Sequence, residues 1–295
     1  MKKVLFSVVV AAVLIAIGYK ILQGESNPAE AQNEPYALNA DSVVAPIDDS
    51  EKSEKTISKP TESEVENPFY KDPDVLTGRI RYADHPEYFV KVDAQYCTQA
   101  MYMHTEAYKA FKKMHAAAKK DGVQLTIISA ARNFESQKGI WERKWEANAG
   151  KDSVSRAKQI LQYSSMPMSS RHHWGTDIDL NSLDNDYFKS GKGKKEYEWL
   201  VQNGPKFKFC QVYTENENDK MCVNSDTGNK VRREGYRLEK WHWSYMPVSS
   251  KLFENYNALV NHSMIKGFKG SELASRLKIK EHFVGGIADT CKCVQ

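Results

Sequence analysis

Ser169-Ser170-Arg171-His172-His173-Trp174-Gly175-Thr176-Asp177-Ile178-Asp179 carries two imidazoles and two carboxylates within its last eight residues. A glycine divides it. The half that follows, Thr176 to Leu180, reads as a strand. Side chains two apart on a strand share a face, so Asp177 and Asp179 point the same way, and a turn at Gly175 lets His172 approach them. A second cluster, Glu239-Lys240-Trp241-His242-Trp243, supplies a further imidazole and a further carboxylate. Two imidazoles and one carboxylate with a fourth position left open make a catalytic zinc arrangement, and a spare glutamate beside them can take a proton from water. Taken singly, such residues are ordinary surface or hydrogen-bonded core groups; only their conjunction points to a metal.

Outward from this strand the chain alternates helical and extended patterns. Ala107, Ala110, Phe111, Met114 and Ala118 recur at three- and four-residue spacing after Thr105, and Gly122 stops the run, which predicts an amphipathic helix. Leu125 to Ser129, Phe209 to Tyr213 and Trp241 to Tyr245 read as further strands, and Glu135 to Ala147, Val154 to Tyr163 and Lys195 to Val201 as helices. No internal repeat is visible. The mixture predicts an α+β domain over residues 68–250, an antiparallel sheet with helices on one side, followed by a helical extension over 251–295. Trp241, Trp243 and Tyr245 alternate along their strand, which would place all three on one side, lining a cleft or packing the core.

The front of the chain is different in kind. Residues 1–23 carry only Lys2, Lys3 and Lys20 as charges around an apolar run from Val4 to Ile17, which predicts a signal peptide or an apolar helix anchoring the chain in the inner membrane. The nearest Ala-x-Ala, Ala29 to Ala31, lies well beyond the run and favours an uncleaved anchor. Residues 24–67 are rich in Glu, Ser, Pro and Asn without apolar periodicity and predict a disordered acidic linker, with a reach on the order of 100 Å when stretched. Through residue 66 this segment carries −8 and the first 23 residues +3, so a chain whose net charge is +4 keeps +9 on residues 67–295. A basic exported domain suits an anionic polymer such as nucleic acid or bacterial cell wall, or merely a soluble surface.

All five cysteines, Cys97, Cys210, Cys222, Cys291 and Cys293, follow the linker, where export permits oxidation. Cys210 and Cys222 flank a polar stretch, Thr214 to Lys220, that reads as a hairpin tip, which predicts a local bridge. Cys97 with Cys291 or Cys293 is the second expectation. No spacing resembles a paired cysteine zinc site.

The residues Ser170, His172, Gly175 and Asp179, followed by Glu239 and His242, resemble the signature Ser-x-His-x-x-Gly-x-Ala-x-Asp and Glu-x-x-His of the D-alanyl-D-alanine carboxypeptidase (VanY-like) metallopeptidases, a family related to lysostaphin-type enzymes and the hedgehog domain. The resemblance implies that His172, Asp179 and His242 hold Zn2+ and that Glu239 activates water. Asp177 stands where the family has Ala; it is then either an acceptor that orients an imidazole or an ordinary turn-stabilising carboxylate. His173 and Trp174 read as packing or rim residues. Ile127 to Gln137 resembles the family's strand ending in Ser-Gly-Tyr-Arg-Ser, which implies that Arg132 clamps a substrate carbonyl or carboxylate and that Gln137 and Ser170 touch substrate. The stretch from Ile140 to Met168 has no counterpart in the pattern and would be a lid or a packing elaboration.

The resemblance implies a periplasmic or cell-envelope peptidase acting on peptidoglycan stem peptides, most simply on a terminal D-Ala. L,D-carboxypeptidases and endopeptidases of the same family are the alternatives. A non-catalytic cell-wall binding module is a rival of another class. A metal-dependent nuclease lacks any phosphate-cradling loop or nucleic-acid motif here, so no nucleic-acid partner is expected. The sequence does not address the oligomeric state.

Overall fold

The computed structural model describes residues 67–215 and 235–292. The expected anchor, nearly all of the acidic linker, most of the expected hairpin tip, Cys222 and Cys293 lie outside the described residues. Among the described residues no helix is long and apolar enough to cross a membrane.

The strands are β1 (Phe89–Lys91), β2 (Tyr102–His104), β3 (Ile127–Ser129), β4 (Asp177–Leu180), β5 (Phe209–Gln211) and β6 (His242–Tyr245). The helices of eight residues or more are α1 (Thr105–Lys120), α2 (Phe134–Ala147), α3 (Ser153–Ile160), α4 (Gly191–Asn203) and α5 (Met246–Leu259). β1 and β2 pair antiparallel, and β3, β4, β6 and β5 lie in that order in a second, wholly antiparallel sheet. Helices set against antiparallel sheets make the domain α+β, as expected. The boundary expected at residue 250 falls inside α5.

The four-stranded sheet has two unlike faces. On one, Ile178, Leu180, Phe209 and Trp243 pack against Phe111 and Met114 of α1 and Trp199 and Leu200 of α4. Each such side chain removed from water contributes roughly 1.5–3 kcal/mol, so this apolar face holds the sheet in one register. That register sets Asp179 opposite His242 and Asp177 opposite Ser244 on the other face. Beyond the polar face lies a second core, in which Trp141 and Trp145 of α2 and Ile160 of α3 meet Met166, Met168 and the C-terminal residues Phe268, Ile279 and Ile287.

Two local features aim the polar face. Arg171–Trp174 forms a 3-10 turn ended by Gly175 in the left-handed region, φ +67°. An added Cβ there would stand 2.9 Å from the backbone nitrogen of His104, which donates to the Gly175 carbonyl at 2.8 Å, so only glycine fits. α1 starts one residue earlier than Thr105 implies: His104 is its N-cap, its Nδ1 accepting from the backbone of Glu106 at 3.3 Å.

The expected Cys210–Cys222 bridge is corrected. Cys210 bonds Cys291, 81 residues away. The backbone amide of Ala288 donates to the Val212 carbonyl at 2.8 Å, so the C-terminal segment runs beside the end of β5 and delivers Cys291 there. The pairing expected between Cys97 and Cys291 fails for the same reason, and Cys97 carries a free thiol.

Candidate metal centre and its cleft

His172, Asp179 and His242 converge, with one donor atom of each within 4.8 Å of the others and all three side chains buried. His172 Nε2 stands 3.4 Å from Asp179 Oδ2, and His242 Nδ1 stands 3.2 Å from Asp179 Oδ1. Zinc bonded to nitrogen and oxygen at 2.0–2.1 Å sets tetrahedral neighbours about 3.3 Å apart, and each imidazole stands at about that distance from one of the two Asp179 oxygens. The unused valences say the same. His172 Nε2 and Asp179 Oδ1 are buried with no hydrogen-bond partner, a costly condition for polar atoms unless something else binds them.

Each imidazole is fixed from behind. His172 Nδ1 donates to the Ala130 carbonyl at 2.8 Å, which leaves Nε2 as the free lone pair. His242 Nε2 donates to Asp177 Oδ2 at 2.9 Å, which turns Nδ1 toward Asp179. Of the two roles open to Asp177, the structure gives it the first. Asp177 is fully buried, and it also accepts from Arg171 Nε at 3.0 Å, Thr176 Oγ1 at 2.9 Å and Ser244 Oγ at 2.6 Å. Arg171, which has no part in the ligand pattern, is itself buried and also donates to Ser244 Oγ at 2.9 Å.

The electrostatics follow from this crowding. Burial disfavours charge on Asp179, but His172 and His242 outweigh it and hold the carboxyl far below the usual carboxylate range. Asp177 is held low in the same way: burial opposes the charge, and Arg171 and then His242 overcome it. His172 is pushed down, chiefly by burial and then by Arg132. For His242 burial favours the neutral ring, yet the carboxylates of Asp177, Asp179 and Glu239 around it prevail and raise it well above the ordinary histidine value. A divalent ion would take the place of that surplus proton.

Glu239 Oε2 lies 3.3 Å from His242 Nδ1, and burial raises its carboxyl above the ordinary glutamate value. The carboxylate thus stands at the edge of the His172, Asp179 and His242 cluster, within reach of a group bound there. Arg132 follows β3. Its backbone amide donates to the His172 carbonyl at 3.1 Å, and its own carbonyl accepts from His173 Nδ1 at 2.6 Å. The guanidinium Nε is buried with no partner. His173 also accepts from the Met168 backbone at 3.1 Å, and burial pulls it down to about 3, so it is a neutral packing residue that ties two segments together. Trp174 is likewise buried, its Nε1 donating to the Leu76 carbonyl at 3.1 Å.

These groups open on a cavity of about 650 Å³ whose lining includes His172, Asp179, Glu239, His242 and Arg132. Trp241 lines it too, with its ring 6.3 Å from that of Tyr163. Trp243 instead goes to the opposite core, so the expected three-residue alternation breaks at Trp241, which precedes β6. Ser170 and Gln137 do not line the cavity. Both are fully buried, and Gln137 Nε2 donates to the Ser165 carbonyl at 2.8 Å, because α2 turns that face toward the wall segment. Ile140, Lys144, Tyr163, Ser164 and Ser165, all from the stretch without a family counterpart, form much of that wall. Patterns of ligand spacing could not have found them.

The family model for VanY, D-alanyl-D-alanine carboxypeptidase, matches residues 100–248, half of the chain. The chain belongs to the VanY family. That match spans both ligand-bearing segments, Arg132 and Glu239. YodJ of Bacillus subtilis (strain 168) is 27% identical over 150 residues, 50% of this chain and 48% of that protein, so the chain spans about half the length of this relative. An uncharacterised Haemophilus influenzae protein is 27% identical over 111 residues, 34% of this chain and 74% of its own length. Among solved structures, the chain resembles the vancomycin-resistance D,D-pentapeptidase VanY in complex with Zn(II), at 22% identity and a TM-score of 0.40 over 59% of this chain and 88% of that one. It also resembles the LD-carboxypeptidase LdcB, at 20% identity and a TM-score of 0.41 over 67% and 77%.

Proposed function

We propose that the chain is an exported zinc carboxypeptidase of the bacterial cell wall that removes the terminal D-Ala from peptidoglycan stem peptides. One observation carries this reading: one donor atom each of His172, Asp179 and His242 lies within 4.8 Å of the others, beside Glu239 and Arg132, on the wall of an open cavity. Membership of the D-alanyl-D-alanine carboxypeptidase family supplies the substrate class.

Bound at these three groups, zinc supplies a Lewis acid that acidifies water and polarises a carbonyl oxygen. Glu239 takes the proton from the attacking water and returns it to the leaving amine. Arg132 holds the peptide carbonyl as negative charge grows on its oxygen, a contribution of about 3 kcal/mol for one well-placed donor. Asp177 keeps His242 in the tautomer that offers Nδ1. The Cys210–Cys291 bridge accords with an oxidising compartment, and hence with export of the domain.

The test is release of free D-Ala from purified muropeptides ending in D-Ala-D-Ala, with and without a chelator. Chelation abolishes release on this account, and Glu239→Ala abolishes it as well, with a loss of at least about a thousandfold. Release from tetrapeptide stems instead would assign the L,D specificity. Binding of muropeptides with no release at all would assign a recognition module.

A further inference from the structure

Lys144 stands one turn beyond Ile140 on α2, and both line the cavity. Its Nζ donates to Ser164 Oγ, a buried hydroxyl of the same wall. An ammonium has three donors, so two remain for a ligand. Among the described residues no carboxylate pairs with Lys144, and none pairs with Arg132, whose Nε is buried without a partner. Two unpaired cations lining one cavity are unfavourable until an anion joins them. Burial and the Arg132 guanidinium both pull the Lys144 ammonium below its ordinary range, while Glu239 works the other way. Of the other acids in the lining, Asp186 pairs with Lys189 at 2.6 Å, and Asp184 caps a turn by accepting from the Asp186 backbone at 2.9 Å.

The two cations are held differently. Arg132 is tied by its backbone to His172 and His173 and therefore belongs beside the reacting carbonyl. Lys144 is steadied from the Ser164 segment instead. Building on the carboxypeptidase reading, we propose that Lys144 receives the C-terminal carboxylate of the peptide substrate and so selects chain ends over internal bonds. With a divalent ion in place, the ion, Arg132 and Lys144 still exceed Asp179, Glu239 and Asp184 by one positive charge, which the terminal carboxylate of a substrate matches.

Two N-acetylated stem pentapeptides, one ending in the D-Ala carboxylate and one in D-alaninamide, are compared on wild type, Lys144→Met and Lys144→Arg. Steady-state kinetics are measured on each protein, and calorimetric binding on each carrying Glu239→Ala in addition. Lys144→Met raises KM and Kd for the acid roughly 10- to 100-fold, the range for a hydrogen bond to a charged group, with kcat within about twofold. The amide is unaffected, and Lys144→Arg recovers most of the loss. Equal losses on acid and amide, or an unchanged acid KM and Kd, overturn the proposal. If Lys144→Met fails to retain zinc, Lys144→Gln replaces it and is judged by the same acid-to-amide contrast. Binding of the acid without turnover in wild type would sink the peptidase reading and leave the Kd contrast to judge Lys144; no binding of either peptide overturns both.

Discussion

Asp177 is the residue on which the geometry of the site turns. Its carboxylate joins a buried guanidinium, Arg171, to a buried imidazole, His242, and no water-facing group shares either contact. Removing one partner of such a buried pair leaves the other uncompensated, which typically costs 3–5 kcal/mol. Asp177→Asn keeps the shape, loses the charge and lets the His242 ring relax. It is therefore expected to lower the denaturant midpoint by an amount worth about 3 kcal/mol and to weaken zinc binding 10- to 100-fold. Chemical denaturation and a competitive chelator titration check the two halves separately. At this scale the sequence was legible where a pattern of residue types carried the information. His172, Asp179, His242 and Glu239, which the family resemblance singles out, come together in one buried cluster. The task of Asp177 was not legible, because the pleat placed it beside Asp179 but only the neighbouring strand decides what it meets. Arg171 gave no signal at all, since an arginine in a polar stretch reads as solvated.

Between elements, register does the positioning. β4 and β6 could pair one residue out of step, but Ile178 and Trp243 would then leave the apolar core, and the ligands would part with them. α1 contributes through its start, where His104 caps the first turn and its Nε2 meets the hydroxyl of Tyr70 at 3.1 Å. Burial pulls His104 down to about 4, from an unfolded value near 6.5. Because the folded pKa lies below the unfolded one, the unfolded chain binds more protons between pH 6.5 and 4. The contribution of the neutral ring is complete above pH 6.5 and is lost as pH falls toward 4. The loss from this one residue between pH 7 and pH 5 is about 2 kcal/mol. His104→Asn retains a capping side chain without the titration, so its midpoint should fall less than that of wild type over that interval. Equal slopes for the two proteins would remove His104 from the account. The helix itself was readable from its apolar spacing, but its cap was not, since histidine is an uncommon N-cap and Thr105 offered the more usual side chain.

For the molecule as a whole, the C-terminal segment is part of the domain that holds the site: Phe268, Ile279 and Ile287 share a core with Trp141 and Met168, and Cys291 is bonded to β5. A bridge across 81 residues stabilises by about 4 kcal/mol in the chain-entropy view. Cys291→Ser should therefore lower the thermal midpoint by several degrees while wild type under reducing conditions follows it; an unchanged midpoint in both would mean that the bridge does not form in solution. The sequence pointed Cys210 toward a near partner because local loops are visible in a sequence and long-range closure is not. The same limit hid the cavity wall built from Ile140, Lys144 and Tyr163, whose part in the cleft depends on α2 packing against a segment far along the chain. What unites these scales is the proposal that one divalent ion is held by three side chains brought together from two distant segments. Metal content per chain, measured on wild type, His172→Ala, Asp179→Ala, His242→Ala and Glu239→Ala after the same dialysis against zinc, tests this most directly. One zinc per chain is expected in wild type and in Glu239→Ala and a large loss in each of the other three; zinc retained in full by those three, or absent from wild type, would rule the shared ion out.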